Sequence, residues 1–372
     1  MIWPSKSYGD TDFITGMRAF AAMAVILVHA GGAGLRELGE AGNTLVTLGR
    51  SGVYVFFVIS GFSVAQSFNS SNGFPEYFNK RIWRIAPLYY FWIFLAISLS
   101  VTASFWQERF GVSVDFYNII MHLSFLSVFD YRVANTILGV EWSISIEVFW
   151  YLFVPLLLFL CRTKQSMAIM VVLSAALYLF VDKHSSVLPM QPEDAELAVY
   201  WSPIPFLFSF CLGIAAYRLR PELPKTSLIG DTVLLAALVS IAVYIVRPGL
   251  ITYFTQGDFI YMSCLAFVVL AFGTSKSKVY NLIFESKLVV GLGSISYGLY
   301  LSHVPVIRLL ERFSPDAFTN HKAISFIVVA GASIFISLIT YHAIEVPFGK
   351  IGKRISELPF FSKGKRIRFY SS

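Results

Sequence analysis

Apolar residues recur along this chain in long runs broken by short polar stretches, and the length of the runs sets the fold class. Ten runs predict spanning helices, at 12–31, 50–69, 85–105, 141–161, 165–181, 198–218, 229–246, 258–274, 288–310 and 322–347. Each is near the roughly 20 mostly apolar residues that a helix needs to cross a bilayer. A shorter apolar piece, 118–130, contains His122 and predicts an interfacial or re-entrant helix. The stretch from Pro189 to Pro205 predicts a loop. Backbone groups in lipid must bond within their own segment, so the pattern predicts an all-α, polytopic membrane helix bundle. The chain, 1–372, reads as a single integral membrane domain ending in a basic tail, 349–372.

Composition agrees with that pattern and narrows it. Hydrophobic residues make up 56% of the 372 and charged residues only 14%, against about 25% charged in an ordinary soluble domain. A soluble enzyme, a disordered chain and a disulfide scaffold are all excluded. The three cysteines, Cys161, Cys211 and Cys264, sit in or beside apolar runs with no C-x-x-C and no His/Cys cluster, so no metal site is expected. Asp10, Asp12 and Arg18 do not fit the layout of a cleaved signal peptide.

The net charge of +7 reads as a topological bias, not as a nucleic-acid footprint. With the N-terminus inside and ten alternating spans, 19 Lys and Arg fall on the cytoplasmic side and 9 outside, with Arg18 within the first span. Both termini are therefore expected in the cytoplasm.

Ionisable side chains at bilayer depth are costly, and each is a candidate for function. Arg18 and His29 are eleven residues apart. That is three helical turns plus about 20°, so they share one face, roughly 16 Å apart along the axis. Snorkelling to the interface is the plain alternative for Arg18. In the fourth run Ser143, Glu147 and Tyr151 stack on one face, with Glu141 and Trp142 read as residues of the interface. In the ninth run Ser296, Tyr300 and His303 form a polar stripe, for which interhelical hydrogen bonding is the alternative. His342 and Glu345 are spaced to pair. Lys80-Arg81-Ile82-Trp83-Arg84 reads as a cytoplasmic loop, either a topology determinant or a phosphate site. Arg18, Arg81 and Arg84 fall in the inner half and suit an anionic ligand. His29, Glu147 and His303 fall in the outer half and suit proton transfer.

Arranged in this order, the motifs resemble those of the acyltransferase 3 family of integral membrane acyltransferases. Arg18 through His29 is similar to its R-x10-H. Phe56-Phe57-Val58-Ile59-Ser60-Gly61-Phe62 is similar to F-F-x-x-S-G-F, followed by R-x-x-R at Arg81 and Arg84. Trp142-Ser143-Ile144-Ser145-Ile146-Glu147 is similar to W-S-L-x-x-E, with isoleucine at 144 and 146 as a mild aliphatic departure. Ser296 through His303 is similar to S-Y-x-x-Y-L-x-H, with a closing Glu345-Val346-Pro347-Phe348. The hydrolase-like domain found in some members is not expected here.

The resemblance implies transfer of an acyl group, usually acetyl, from acyl-CoA to a carbohydrate hydroxyl. The acceptor would be an exported or lipid-linked glycan. The setting it implies is a bacterial inner membrane. Acyl-CoA would be a co-substrate and not a resident cofactor, and membrane lipids would be partners. His29 is then the expected base, with Glu147 orienting it. Arg81 and Arg84, with Arg18, would hold the donor phosphates, and Ser143, Tyr300 and His303 would contact substrate. A secondary transporter of an organic anion or sugar is the alternative that the same polar residues allow.

Overall fold

The computed structural model describes Pro4 and residues 12–249, 258–274, 276–314 and 321–358. Every regular element among them is helical. In chain order they are α1 (Asp12–His29), α2 (Glu40–Leu48), α3 (Gly52–Asn69), α4 (Phe74–Ser98), α5 (Ser104–Phe110), α6 (Phe116–Leu123), α7 (Trp142–Leu160), α8 (Lys164–Lys183) and α9 (Pro192–Tyr200). There follow α10 (Pro203–Leu219), α11 (Ser227–Val246), α12 (Asp258–Phe272), α13 (Lys278–Phe284), α14 (Lys287–Ser294), α15 (Ser296–Phe313), α16 (Lys322–Thr340), a π-helical turn at Tyr341–Glu345, and α17 (Val346–Ser356).

Among the described residues seven segments are long and apolar enough to cross a membrane. An eighth arises if α14 and α15, bent by 68°, form one broken span. The two other expected spans differ for physical reasons. α12 has 15 residues, short of the usual length. α4 begins at Phe74 and so takes in Lys80, Arg81 and Arg84, which the sequence placed in a loop. Glu76 and Lys80, one turn apart, hold that first part of the helix with a 2.5 Å ion pair. The expected loop at 189–205 contains α9, opened by Pro192 at its first position, where a missing N–H costs nothing. The last predicted span, 322–347, runs on through the π-helical turn into α17, so the helical segment extends to Ser356. Lys363 to Arg368 in the expected basic tail, and Asp10, lie outside the described residues.

The chain divides into two compact units. The first comprises residues 1–59 and 216–341. Here glycine sets the packing distances: a methyl group at Gly293 would strike the Thr15 carbonyl, and one at Gly16 the Phe284 carbonyl. α13 and α14 thus lie backbone-close to α1, the small-residue contact that membrane helices favour. At Gly298 of α15 a methyl would press on the Ser337 side chain of α16 at 3.1 Å, a tight contact rather than a clash. Ala22, Ile26, Leu299 and Val329 fill the core among these helices.

The second unit comprises residues 60–215 and 342–372. Tyr77, Arg81, Ile85, Tyr89 and Trp92 recur at helical spacing on the buried face of α4. Gly61 lets α3 meet the Phe210 carbonyl of α10. The segment between α4 and α7 is tied down by polar bonds. Tyr90 donates to the Leu123 carbonyl at 2.6 Å, and the Ser127 and Ser145 hydroxyls bond at 2.7 Å. α17 lies on α4: Trp83 stacks on Phe348 at 5.9 Å, and Asn79 Nδ2 donates to the Gly352 carbonyl and the Ser356 hydroxyl, each at 2.9 Å. A methyl at Gly352 would overlap Trp83 Cβ. Gly352→Ala is therefore expected to destabilise the protein by about 1–3 kcal/mol, read as a lower detergent melting temperature. An unchanged melt would show that α17 is not held at this contact.

Candidate functional site

α1 is continuous from Asp12 to His29, so Arg18 and His29 keep the shared face that their spacing predicts. Arg18 is half-buried and His29 exposed. The helix stops at His29 because the next residues cannot continue it. Gly31, Gly32, Ala33 and Gly34 all have positive φ, from 53° to 80°. Ala33 is the costly member, a non-glycine residue in the left-handed region. This glycine-rich reversal was missed at the sequence level, although the run Gly31-Gly32-Ala33-Gly34 is a legible helix stop.

The reversal leaves His29 at the end of α1, where it meets His303 of α15. His303 Nε2 lies 3.2 Å from His29 Nδ1, with ring centroids 5.0 Å apart. His303 is fully buried, and its Nδ1 faces the carbonyls of Tyr300 at 2.7 Å and Leu299 at 3.2 Å. Carbonyls only accept, so they place the proton on Nδ1 and leave Nε2 of a neutral His303 as an acceptor. His29 Nδ1 faces that acceptor and also the Val25 carbonyl at 3.0 Å. It must therefore carry the other proton. The lone pair of His29 then resides on Nε2, which is the arrangement a general base needs. Tyr300 packs its ring beside His303 at 5.9 Å and against Phe56 at 6.1 Å. The stripe Ser296–Tyr300–His303 is thus buried along its length.

The second unit holds a separate polar cluster. Glu147 Oε1 accepts from the Ser60 hydroxyl in a very close contact and from the Tyr151 hydroxyl at 2.7 Å. Ser60 belongs to the F-F-x-x-S-G-F segment, and its role was not assigned from sequence. Arg81 is buried, with Nη2 donating to the Ser63 carbonyl at 2.5 Å. Its guanidinium lies 5.7 Å from the Tyr151 ring centre and 6.0 Å from that of Tyr77. Arg84, one turn on, is exposed. The R-x-x-R motif therefore splits into one arginine turned into the protein and one turned out. Ser143 is buried and donates back to the Val140 carbonyl at 3.2 Å.

The bonds described for His29 run to Val25 and His303, and those for Glu147 to Ser60 and Tyr151. Two residues read as interfacial are buried within the second unit. Glu141 is fully buried, accepts from the amides of Ile137 at 2.6 Å and Val140 at 2.9 Å, and lies 3.3 Å from His122 Nε2. Trp142 is buried against Tyr200 and Phe206. His342 and Glu345 fall in the π-helical turn, which alters the i,i+3 stacking expected of an α-helix.

Comparison with known proteins agrees with the motifs. The family described as acyltransferase domain, acyltransferase 3, matches residues 11–342. A putative acetyltransferase, ORF330, of Acidianus two-tailed virus is 27% identical over 80% of this chain and 83% of its own length. The peptidoglycan O-acetyltransferase OatA of Listeria monocytogenes is 25% identical over 91% of this chain, and the putative peptidoglycan O-acetyltransferase YrhL of Bacillus subtilis is 25% identical over 92%. The chain spans just over half the length of those two relatives, 56% and 55%. No solved structure matches. With its motifs in order along a bundle of long apolar helices, and with that match across nearly its whole length, the chain belongs to the acyltransferase 3 family of membrane acyltransferases.

Proposed function

We propose that the protein is a membrane O-acetyltransferase that moves an acetyl group from acyl-CoA to a hydroxyl of an exported or lipid-linked carbohydrate in a bacterial inner membrane. The observation that carries the reading is the His29–His303 pair, whose backbone contacts leave a lone pair on an exposed imidazole. His29 Nε2 takes the proton of the acceptor hydroxyl as the oxygen attacks the thioester carbonyl. The C–S bond breaks, the ester forms, and CoA leaves as its thiol with the proton returned from His29. His303 keeps His29 in the required tautomer and orientation, the part that a carboxylate plays in hydrolytic triads.

Arg84 and Arg18 carry the charge suited to the donor's phosphates, with Arg84 exposed and Arg18 half-buried. Arg81, held among Tyr77, Tyr151 and the Ser63 carbonyl, keeps the Glu147 cluster in order and supports donor binding from behind Arg84. Ser143 and Tyr300 are assigned to substrate contacts beside Glu147 and His303. The names of the bacterial relatives support acetyl as the acyl group and a cell-wall glycan as the class of acceptor.

The test is thiol release. Purified protein in liposomes, given acetyl-CoA and a membrane glycan extract, is expected to release free CoA thiol and to place acetyl ester on the glycan. Glycan-dependent transport of an organic anion, with no thiol released from acetyl-, succinyl- or longer-chain CoA, would overturn the assignment in favour of a transporter.

A further inference from the structure

The first unit contains a cavity of about 300 Å³ alongside α1, the size at which ligand pockets begin. Phe20, Ala24 and Leu27 of α1 face Ala237 of α11 and Met262 and Ala266 of α12 across it. Its lining is hydrocarbon apart from Ser51, in the short turn between α2 and α3. The Ser51 hydroxyl is buried, 1% exposed, and makes no hydrogen bond among the described residues. A buried hydroxyl without a partner is costly and calls for one. Arg50, next in the chain, is paired with Asp258 at 2.8 Å while 54% of its side chain remains exposed. The cavity thus has an apolar length and one hydroxyl, while Arg50 and its partner Asp258 lie outside the lining.

That sequence of chemistry matches one molecule in the surrounding solvent. We propose that the cavity holds an acyl chain of a bilayer phospholipid, with the ester carbonyl accepting from Ser51. Apart from Ser51, a polar ligand would meet only apolar side chains along these walls, and would lose most of its hydration without replacement. A hydrocarbon chain restores the contacts that the walls otherwise lack. The site is separate from the reacting groups: on the α1 wheel the lining residues centre about 140° away from His29. The bound chain is therefore not the acyl donor, and the inference does not depend on the acyl-transfer reading.

The test uses the full-length protein in phosphatidylethanolamine–phosphatidylglycerol vesicles doped with a phospholipid carrying a diazirine in its acyl chain. After irradiation, the labelled residues are mapped by peptide mass spectrometry. Label is expected to concentrate on the lining of α1, α11 and α12, above its density at Val172 and Leu173 on the exposed face of α8. Ala266→Phe, which fills the cavity, is expected to lower it roughly tenfold. Ser51→Ala, which leaves the walls intact, is expected to lower it by a smaller factor, and it decides the matter if Ala266→Phe does not fold. Label on the lining no denser than on α8, or unchanged by these substitutions, would overturn the proposal. So would preferential labelling of the lining by a polyprenyl phosphate probe, which would assign the cavity to a lipid-linked glycan carrier instead.

Discussion

His29→Ala is expected to lower acyl-CoA-dependent thiol release by about 10²- to 10⁴-fold, the usual contribution of a positioned general base, with little change in abundance or melting temperature. His29 is exposed at the end of its helix, so removing the ring leaves no core cavity. His303 distinguishes a base held by a partner from a base acting alone. His303→Leu removes the acceptor at Nε2, but the Val25 carbonyl still takes the His29 Nδ1 proton. The tautomer survives and only part of the orientation is lost, so the expected cost is about 10- to 100-fold, the scale of one lost buried hydrogen bond. His303→Gln can offer an amide oxygen to His29 and its NH₂ group to the Tyr300 carbonyl, and is expected to recover part of that loss. In kinetics the His303 variants should change kcat more than KM for acetyl-CoA. A His303→Leu enzyme as impaired as His29→Ala would make His303 itself the base. A His29→Ala enzyme with normal thiol release would remove the pair from the chemistry.

The helical class and most long elements were legible because lipid imposes so narrow a rule on the backbone: the apolar runs at 165–181 and 229–246 reappear as α8 and α11. What hydropathy alone could not show is where a charged stretch continues a helix. Lys80, Arg81 and Arg84 look like a loop by charge. They are helical because Arg81 turns inward to bond Ser63 and lie beside Tyr77 and Tyr151, while Arg84 turns outward. Glu141 misled in the opposite sense. A carboxylate at the head of an apolar run suggests water, but two backbone amides and His122 satisfy it inside the protein. At the candidate site, helical spacing put Tyr300 beside His303, where their rings lie 5.9 Å apart, and put Arg18 and His29 on one face of a helix that is continuous between them. It could not pair His29 with His303, since 274 residues separate them and only the tertiary fold brings α15 to the end of α1. Ser60 was visible in a motif, yet its bond to Glu147 depends on α3 and α7 meeting in space.

Glu147→Gln is expected to reduce turnover by about a hundredfold while abundance holds, because it separates the carboxylate's charge from its shape. Glutamine keeps an oxygen where Oε1 now accepts from Ser60 and Tyr151, so both hydroxyls retain a partner and the helices have no reason to part. The negative charge is what disappears. It sits at one end of a chain that runs from Glu147 through the Tyr151 hydroxyl and ring to the guanidinium of Arg81. Ser60→Ala and Tyr151→Phe each remove one donor and keep the charge, so each is expected to cost about tenfold or less. If charge is the active property, Arg81→Met should cost less in the Glu147→Gln background than alone, because the cation has already lost its counterpart. Residues joined in one network show such coupling, typically about 0.5–3 kcal/mol. Glu147→Gln at full activity beside an inactive Glu147→Ala would reduce Glu147 to a hydrogen-bond acceptor that shapes the second unit. Equal loss of turnover and abundance in Glu147→Gln would make it a folding residue. Additive losses with Arg81→Met would show that the two charges act separately, one on the donor and the other elsewhere in the reaction.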